Sequence, residues 1–273
     1  MNAIWNLFAK RSLNKIVFLW SIHIVAAAAY MPTFVLELAS KPIGGAGYTL
    51  MALSMAFQGL YIYLLGRAYM IGDLSQVYPI TRGTGAMLVP LIGVSLLGER
   101  LPWYAWIGLA MLLIGIVALS GRGRGAAMRQ LRESPQLLMT AFAIGLCITG
   151  YTLTDKLTLA YISPIALIQV SHLGYMITLT RGAVRSGQIK EEWRANWGTI
   201  LLGAMMAPGS YLLFLFALKL AQVAQLAPIR EIGIVFGTLL GIVLLKEEQG
   251  ARRLIASVLI VAGVILIKGV MQT

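Results

Sequence analysis

Two sets of polar residues stand inside long apolar runs and share one spacing. Gln76, Pro79 and Arg82 occupy i, i+3 and i+6 of one run, and Gln225, Pro228 and Glu231 repeat that spacing in another. On an α-helix this interval keeps each trio on one face. Each proline lacks an N–H and disturbs the bond to the carbonyl four residues back, which frees backbone polar groups inside the run. Arg82 and Glu231 each lie eight residues into their run, about 12 Å along a helix axis. That is near the middle of a hydrocarbon layer about 30 Å thick. An arginine at such a depth costs on the order of 3 kcal/mol and must be paired or face water. The residue types suit proton exchange at Glu231, with Arg82 as its counter-ion or as the anchor for a solute carboxylate or phosphate, both lining a central cavity. A static ion pair pinning two parts of the chain is the alternative. Buried pairs stabilise less than apolar packing does, which favours the cavity.

Other polar residues are weaker candidates. Arg230 follows Pro228 closely, and helical geometry turns its side chain about 100° from that of Glu231, toward a second pair or the solute. His23 and His172 are the only histidines; each suits either a site or an ordinary interhelical hydrogen bond. Asp155 with Lys156, and Lys10, are expected to end helices near the surface, where long basic side chains snorkel. Glu99, Glu247 and Glu248 fall in turns at helix ends and read as structural, and Asp73 reads as a helix cap. Gly237 and Gly241 read as a small-residue packing face. Tyr30, Tyr78, Tyr175 and Tyr211 suit either packing or a cavity wall. Cys147 is the single cysteine and lies in an apolar run, so neither a disulfide nor a metal site is expected. No cofactor is expected.

The elements that must hold these residues follow from composition. The chain has 273 residues, of which 59% are hydrophobic and 12% charged, and its mean hydropathy is +0.81. Nine apolar runs cover residues 16–38, 47–71, 74–97, 101–119, 135–153, 159–179, 197–218, 223–245 and 254–270. They are continuous rather than alternating, so they are helices; an open sheet leaves unpaired edges in lipid. A soluble enzyme, a disordered chain and a disulfide scaffold are excluded. The net charge of +12 does not point to nucleic acid, because the basic residues sit in short loops. One side of the membrane collects fourteen of them, including Lys10, Arg122, Arg181 and Arg252, against five on the other, including Lys41 and Lys219. That bias places the first side in the cytoplasm. Trp103, Trp106, Trp193 and Trp197 mark run ends, where indoles favour the membrane interface. Connections are short apart from residues 120–134 and 180–196. No cleaved secretory leader is expected.

The chain also repeats itself. A shift of 149 residues superposes residues 64–99 on 213–248 with nine identities, among them Ala68 with Ala217, Gln76 with Gln225, Pro79 with Pro228 and Glu99 with Glu248. The same shift places His23 on His172 and Arg82 on Glu231, and a shift of 148 pairs Gly115 with Gly263. The expected organisation is a first repeat over 1–120, a basic connector over 121–134 and a second repeat over 135–273. By register with Lys156, residues 2–9 are the tail of a helix that only the second repeat carries in full. Five helices per repeat is an odd number, so the copies insert in opposite orientations, a hallmark of secondary transporters.

The pattern Ala68, Pro79, Leu97, Gly98, Glu99, Arg100, Gly108 and Gly115, recurring as Ala217, Pro228, Glu248 and Gly263, resembles the EamA-type repeat of the drug/metabolite transporter superfamily. The resemblance implies an all-α membrane protein of two inverted repeats, a ten-helix architecture with its first helix truncated and nine full spans. The second repeat departs from the pattern, with Lys246, Glu247, Glu248 and Gln249 in place of the Leu-Gly-Glu-Arg turn. What it implies is a multi-pass inner-membrane secondary transporter, not an enzyme. It would export a small organic metabolite such as an amino acid or related solute, often with proton coupling, as monomer or homodimer. Its partners are the solute, protons and the lipid bilayer. A flippase, with Arg82 on a lipid phosphate, is the alternative. The sequence contains no GxxxxGK[ST] phosphate loop, so ATP hydrolysis by this chain is not expected.

Overall fold

Long apolar runs with local start and stop signals dictate helices, and the computed structural model places them where those signals stand. It describes residues 8–9, 12–71, 74–119, 135–236 and 250–268, and their side chains except those at 69–71, 74–79 and 250–253. Asp73, Lys10, residues 121–134, Gly237, Gly241 and 246–249, with the side chains of Gln76, Tyr78 and Pro79, lie outside that description.

The described residues include the helices α1 (Lys15–Ser40), α2 (Gly44–Ile71), α3 (Leu74–Leu96), α4 (Trp103–Leu119), α5 (Pro135–Thr158), α6 (Pro164–Ser186), α7 (Ile189–Leu220), α8 (Val223–Ile229) and α9 (Gly250–Lys268). The Asn14 side chain caps α1 by accepting from the Ile16 and Val17 amides, two of the donors a helix start leaves unpaired. Ser163 caps α6 ahead of Pro164, and Gly187, at φ 67°, closes it in the left-handed conformation glycine tolerates. Segments Lys15–Ser40, Gly44–Ala68, Pro135–Thr158 and Ile189–Leu220 are long and apolar enough to cross a membrane, and Ile80–Leu96, Trp103–Leu119 and Leu254–Lys268 are shorter apolar helices. Trp103 and Trp197 stay 74% and 63% exposed at helix ends, as interfacial indoles do.

Three readings of the sequence are refined. The stretch 180–196 is mostly helix: α6 runs on to Ser186, and α7 starts at Ile189 and turns at Asn196, whose backbone is non-helical. The buried Glu192 stabilises that turn, accepting from Asn14 N and Asn196 Nδ2 at 2.7 Å each. The run at 223–245 is not one helix in its described part. α8 stops at Ile229, Arg230 and Glu231 form a turn, and helix resumes at 232. Across the break the bonds are three-residue ones, Glu231 N to Pro228 O and Ile234 N to Glu231 O. The apolar run in α5 extends past 153 to Thr158.

The chain forms two compact units, Met1–Tyr63 with Gly150–Leu220 and Leu64–Thr149 with Ala221–Thr273. In the first, α1 packs on α6 and α7, around Phe18, Ile22, Ile200 and Ala204. In the second, α4 packs on α9 around Leu112, Ile116, Ile260 and Val264.

Within each unit, packed pairs that are repeat equivalents run antiparallel. Along α1 and α6, Trp20 meets Thr180, His23 meets His172 and Glu37 meets Ser163. Along α3 and α8, Arg82 meets Glu231 and Gly93 lies against Ala224. Along α4 and α9, a Cβ on Gly108 would stand 2.6 Å from the Gly263 carbonyl oxygen, and one on Gly115 would stand 2.9 Å from that of Ala256. The 148-residue shift turns the first of these contacts into the second. Such reciprocity is what a local twofold relation produces, and antiparallel equivalents are what inverted copies require.

Candidate functional site

Each unit gathers polar residues inside otherwise apolar helices. In the second unit, Arg82 reaches from α3 to the turn after α8, with Nη1 3.3 Å from Glu231 Oε1; the side chains are 18% and 4% exposed. Arg230 was expected to point away from Glu231. Because the chain turns there instead of continuing as helix, its Nε lies 3.8 Å from the same oxygen. Glu231 thus faces two guanidinium groups, and the arrangement can hold a carboxylate or exchange it for another anion. Gln225 and Pro228 are buried on α8, but Gln225 donates to Gln222 at 3.3 Å rather than to the charged group. Glu99 is structural, as its position implied: it accepts from the amides of Val223 and Ala224 at 2.8 and 2.7 Å, capping α8.

In the first unit the two histidines meet, Nδ1 to Nδ1, at 3.2 Å. The Tyr175 ring lies 4.5 Å from that of His23, and Tyr30 stacks on His172 at 5.9 Å. Both histidines are buried, and His172 Nε2, Ser21 Oγ and Gln169 Oε1 have no hydrogen-bond partner.

The reading of Asp155 as a surface residue is corrected. α5 continues beyond it, and its carboxylate is fully buried. Ser54 Oγ donates to Oδ1, while Tyr211 Oη donates to Oδ2 at 2.5 Å and Gln58 Nε2 approaches Oδ2 at 3.5 Å. Tyr175 Oη donates in turn to Gln58 Oε1. Lys156, one residue and about 100° further on, points elsewhere and donates to the Leu218 carbonyl at 2.8 Å. The signal missed lies in α2, where Ser54 and Gln58 sit at i, i+4, a polar pair on one face of an apolar run.

Comparison with known proteins follows the same lines. The EamA-like transporter family model matches residues 136–269. A Listeria innocua protein named "Putative sugar uptake protein lin0215" is 28% identical over 240 residues, 81% of this chain and 80% of that protein. A protein of Sinorhizobium fredii named "Uncharacterized protein y4nH" is 30% identical over 69 residues, 25% of this chain and 59% of its own length. One solved crystal structure superposes with a TM-score of 0.73 at 17% identity, covering 100% of this chain and 96% of the other; that likeness concerns the fold. Residues 136–269 therefore carry an EamA-like transporter family domain, and that domain together with the apolar helices supports a multi-pass membrane protein of transporter type.

Proposed function

We propose that the chain is a secondary active exporter of a small organic anion or zwitterion, such as an amino acid or related solute, in the inner cell membrane and driven by protons. The observation that carries this reading is the Arg82–Glu231 pair at 3.3 Å, set among apolar helices beside the break at residues 230–231. Arg82 holds the solute's carboxylate or phosphate in the place Glu231 otherwise occupies. A proton on Glu231 weakens its hold on Arg82 and lets the solute take over, so proton and solute binding are linked. An intramembrane ion pair is expensive to keep, and such residues generally mark solute or proton pathways.

The same guanidinium suits a lipid phosphate, which is the flippase reading. The Listeria relative's name adds sugars to the solutes to be tried. Metabolite profiling of medium from overexpressing cells supplies candidates, and counterflow in proteoliposomes tests them beside translocation of a fluorescent phospholipid. Solute counterflow lost in Arg82→Gln, with no lipid translocation, is the expected result. Lipid translocation that depends on Arg82, without counterflow, would replace the exporter with a flippase.

A further inference from the structure

Five carboxylates have described partners, and the chemistry of those partners divides them. Glu99 is held by two backbone amides, Glu192 by a backbone amide and the Asn196 side-chain amide, Glu37 by Lys41 and the Ser163 amide and hydroxyl, and Glu231 by Arg82. Amide N–H groups and cations only donate, so such partners suit a carboxylate that stays ionised. Asp155 is different. Its two short contacts, Ser54 and Tyr211, are hydroxyls, with the Gln58 amide further off at 3.5 Å, and a hydroxyl both donates and accepts. Facing the anion they donate to it. Facing a protonated carboxyl, either can turn and accept its O–H, so neither state strands a buried polar group. A buried acid satisfied in both protonation states exchanges a proton without paying the large cost of an unmet group.

We propose that Asp155 is a second proton-binding site, separate from Glu231, which takes up and releases one proton during the transport cycle. One proton adds to one carboxylate oxygen, the site's charge goes from −1 to 0, and the hydroxyl of Ser54 or Tyr211 rotates from donor to acceptor. No other bond changes. Among the described contacts, the titratable groups around the carboxylate are Tyr211 from α7, Tyr151 from α5, which packs edge-on to Tyr211, and Lys156 next in sequence. Beyond Gln58 come Tyr175 and His172 from α6 and His23 from α1. α2 supplies Ser54 and Gln58, which do not titrate, and Tyr61, which packs edge-on to Tyr151. Tyr175 joins the two centres, its hydroxyl on Gln58 and its ring on His23. The role in a transport cycle rests on the exporter reading, whereas proton binding at Asp155 does not.

The composition makes the site directly observable, because Asp73 and Asp155 are the only aspartates in the chain. The full-length protein in lipid bilayers is labelled with carbon-13 at the aspartate side-chain carboxyl and taken from alkaline to mildly acidic buffer under pH-difference infrared spectroscopy. The expected result is an isotope-shifted carbonyl stretch of a protonated aspartic acid. It persists in Asp73→Asn and in Glu231→Gln. In Ser54→Ala its midpoint moves up by about one pH unit, because the lost donor served the anion more strongly than the acid. Absence of any isotope-shifted stretch in that range, its loss in Asp73→Asn, or an unmoved midpoint in Ser54→Ala would each overturn the proposal. Since the ligand observed is the proton, a failed solute assay would sink the exporter reading and leave this result standing, and the reverse also holds.

Discussion

His23 and His172 face each other Nδ1 to Nδ1 at 3.2 Å across an interval of 149 residues, the same interval that separates Arg82 from Glu231. In each pair the repeat shift exchanges the two partners, so each contact lies on a local twofold relation between inverted copies. Twofold-related positions are the ones that duplication brings together. In one pair the residue types are identical, and in the other they carry opposite charge.

The histidine contact fixes a tautomer pattern. Only one proton fits between two facing Nδ1 atoms, so one neutral ring carries Nδ1–H while the other accepts there and carries its proton on Nε2. With two histidines in the chain, nitrogen-15 labelling gives two ring systems to assign. At alkaline pH the spectrum is expected to hold one tautomer of each kind. Two rings both protonated at Nε2 would contradict the contact.

The α4–α9 interface sets a steric prediction. A Cβ on Gly263 would sit 2.4 Å from the Gly108 carbonyl oxygen and 2.9 Å from Leu112 N, backbone atoms that cannot yield as a side chain does. Gly263→Ala and Gly108→Ala should each destabilise by about 1–3 kcal/mol through overpacking, read as a lower melting temperature in detergent. Gly66, where a Cβ would meet nothing within 4 Å, serves as the control. An equal fall in Gly66→Ala would remove the steric explanation.

The charged pair should respond asymmetrically. Breaking a buried ion pair by removing one partner costs about 3–5 kcal/mol, and the 18% exposure of the Arg82 side chain brings the loss toward the lower end. Arg82→Gln leaves Glu231 with Arg230 Nε 3.8 Å away. Glu231→Gln removes the carboxylate that Arg82 and Arg230 both approach. Thermal unfolding should therefore show the larger loss for Glu231→Gln, and the double variant Arg82→Gln with Glu231→Gln should lose less than the two single losses added together.

Much of this was legible in the sequence because apolar runs and a fixed repeat interval constrain the backbone strongly. The 149-residue shift marked both self-matched contacts, and the helix bounds shifted by only a few residues at most ends. What it did not reveal depends on local backbone geometry and on side-chain direction. The break at residues 230–231 shows only as one proline in an apolar stretch, yet it turns Arg230 back toward Glu231. Asp155 looks like a helix-end residue because Lys156 follows it; three further residues of α5 and the inward-facing Ser54 and Gln58 make it a buried one. The turn at Asn196 was hidden because its anion, Glu192, sits among charged residues that read as a loop.

The pH profile of solute counterflow in wild type and Glu231→Gln, normalised to protein inserted in the liposome, tests the coupling role of the Arg82–Glu231 pair most directly. With Glu231 as a proton-coupling group beside Asp155, the variant is expected to lose the Glu231 part of the pH dependence and to gain less than wild type from an imposed proton gradient. A Glu231→Gln profile that keeps the full wild-type pH dependence would contradict the account.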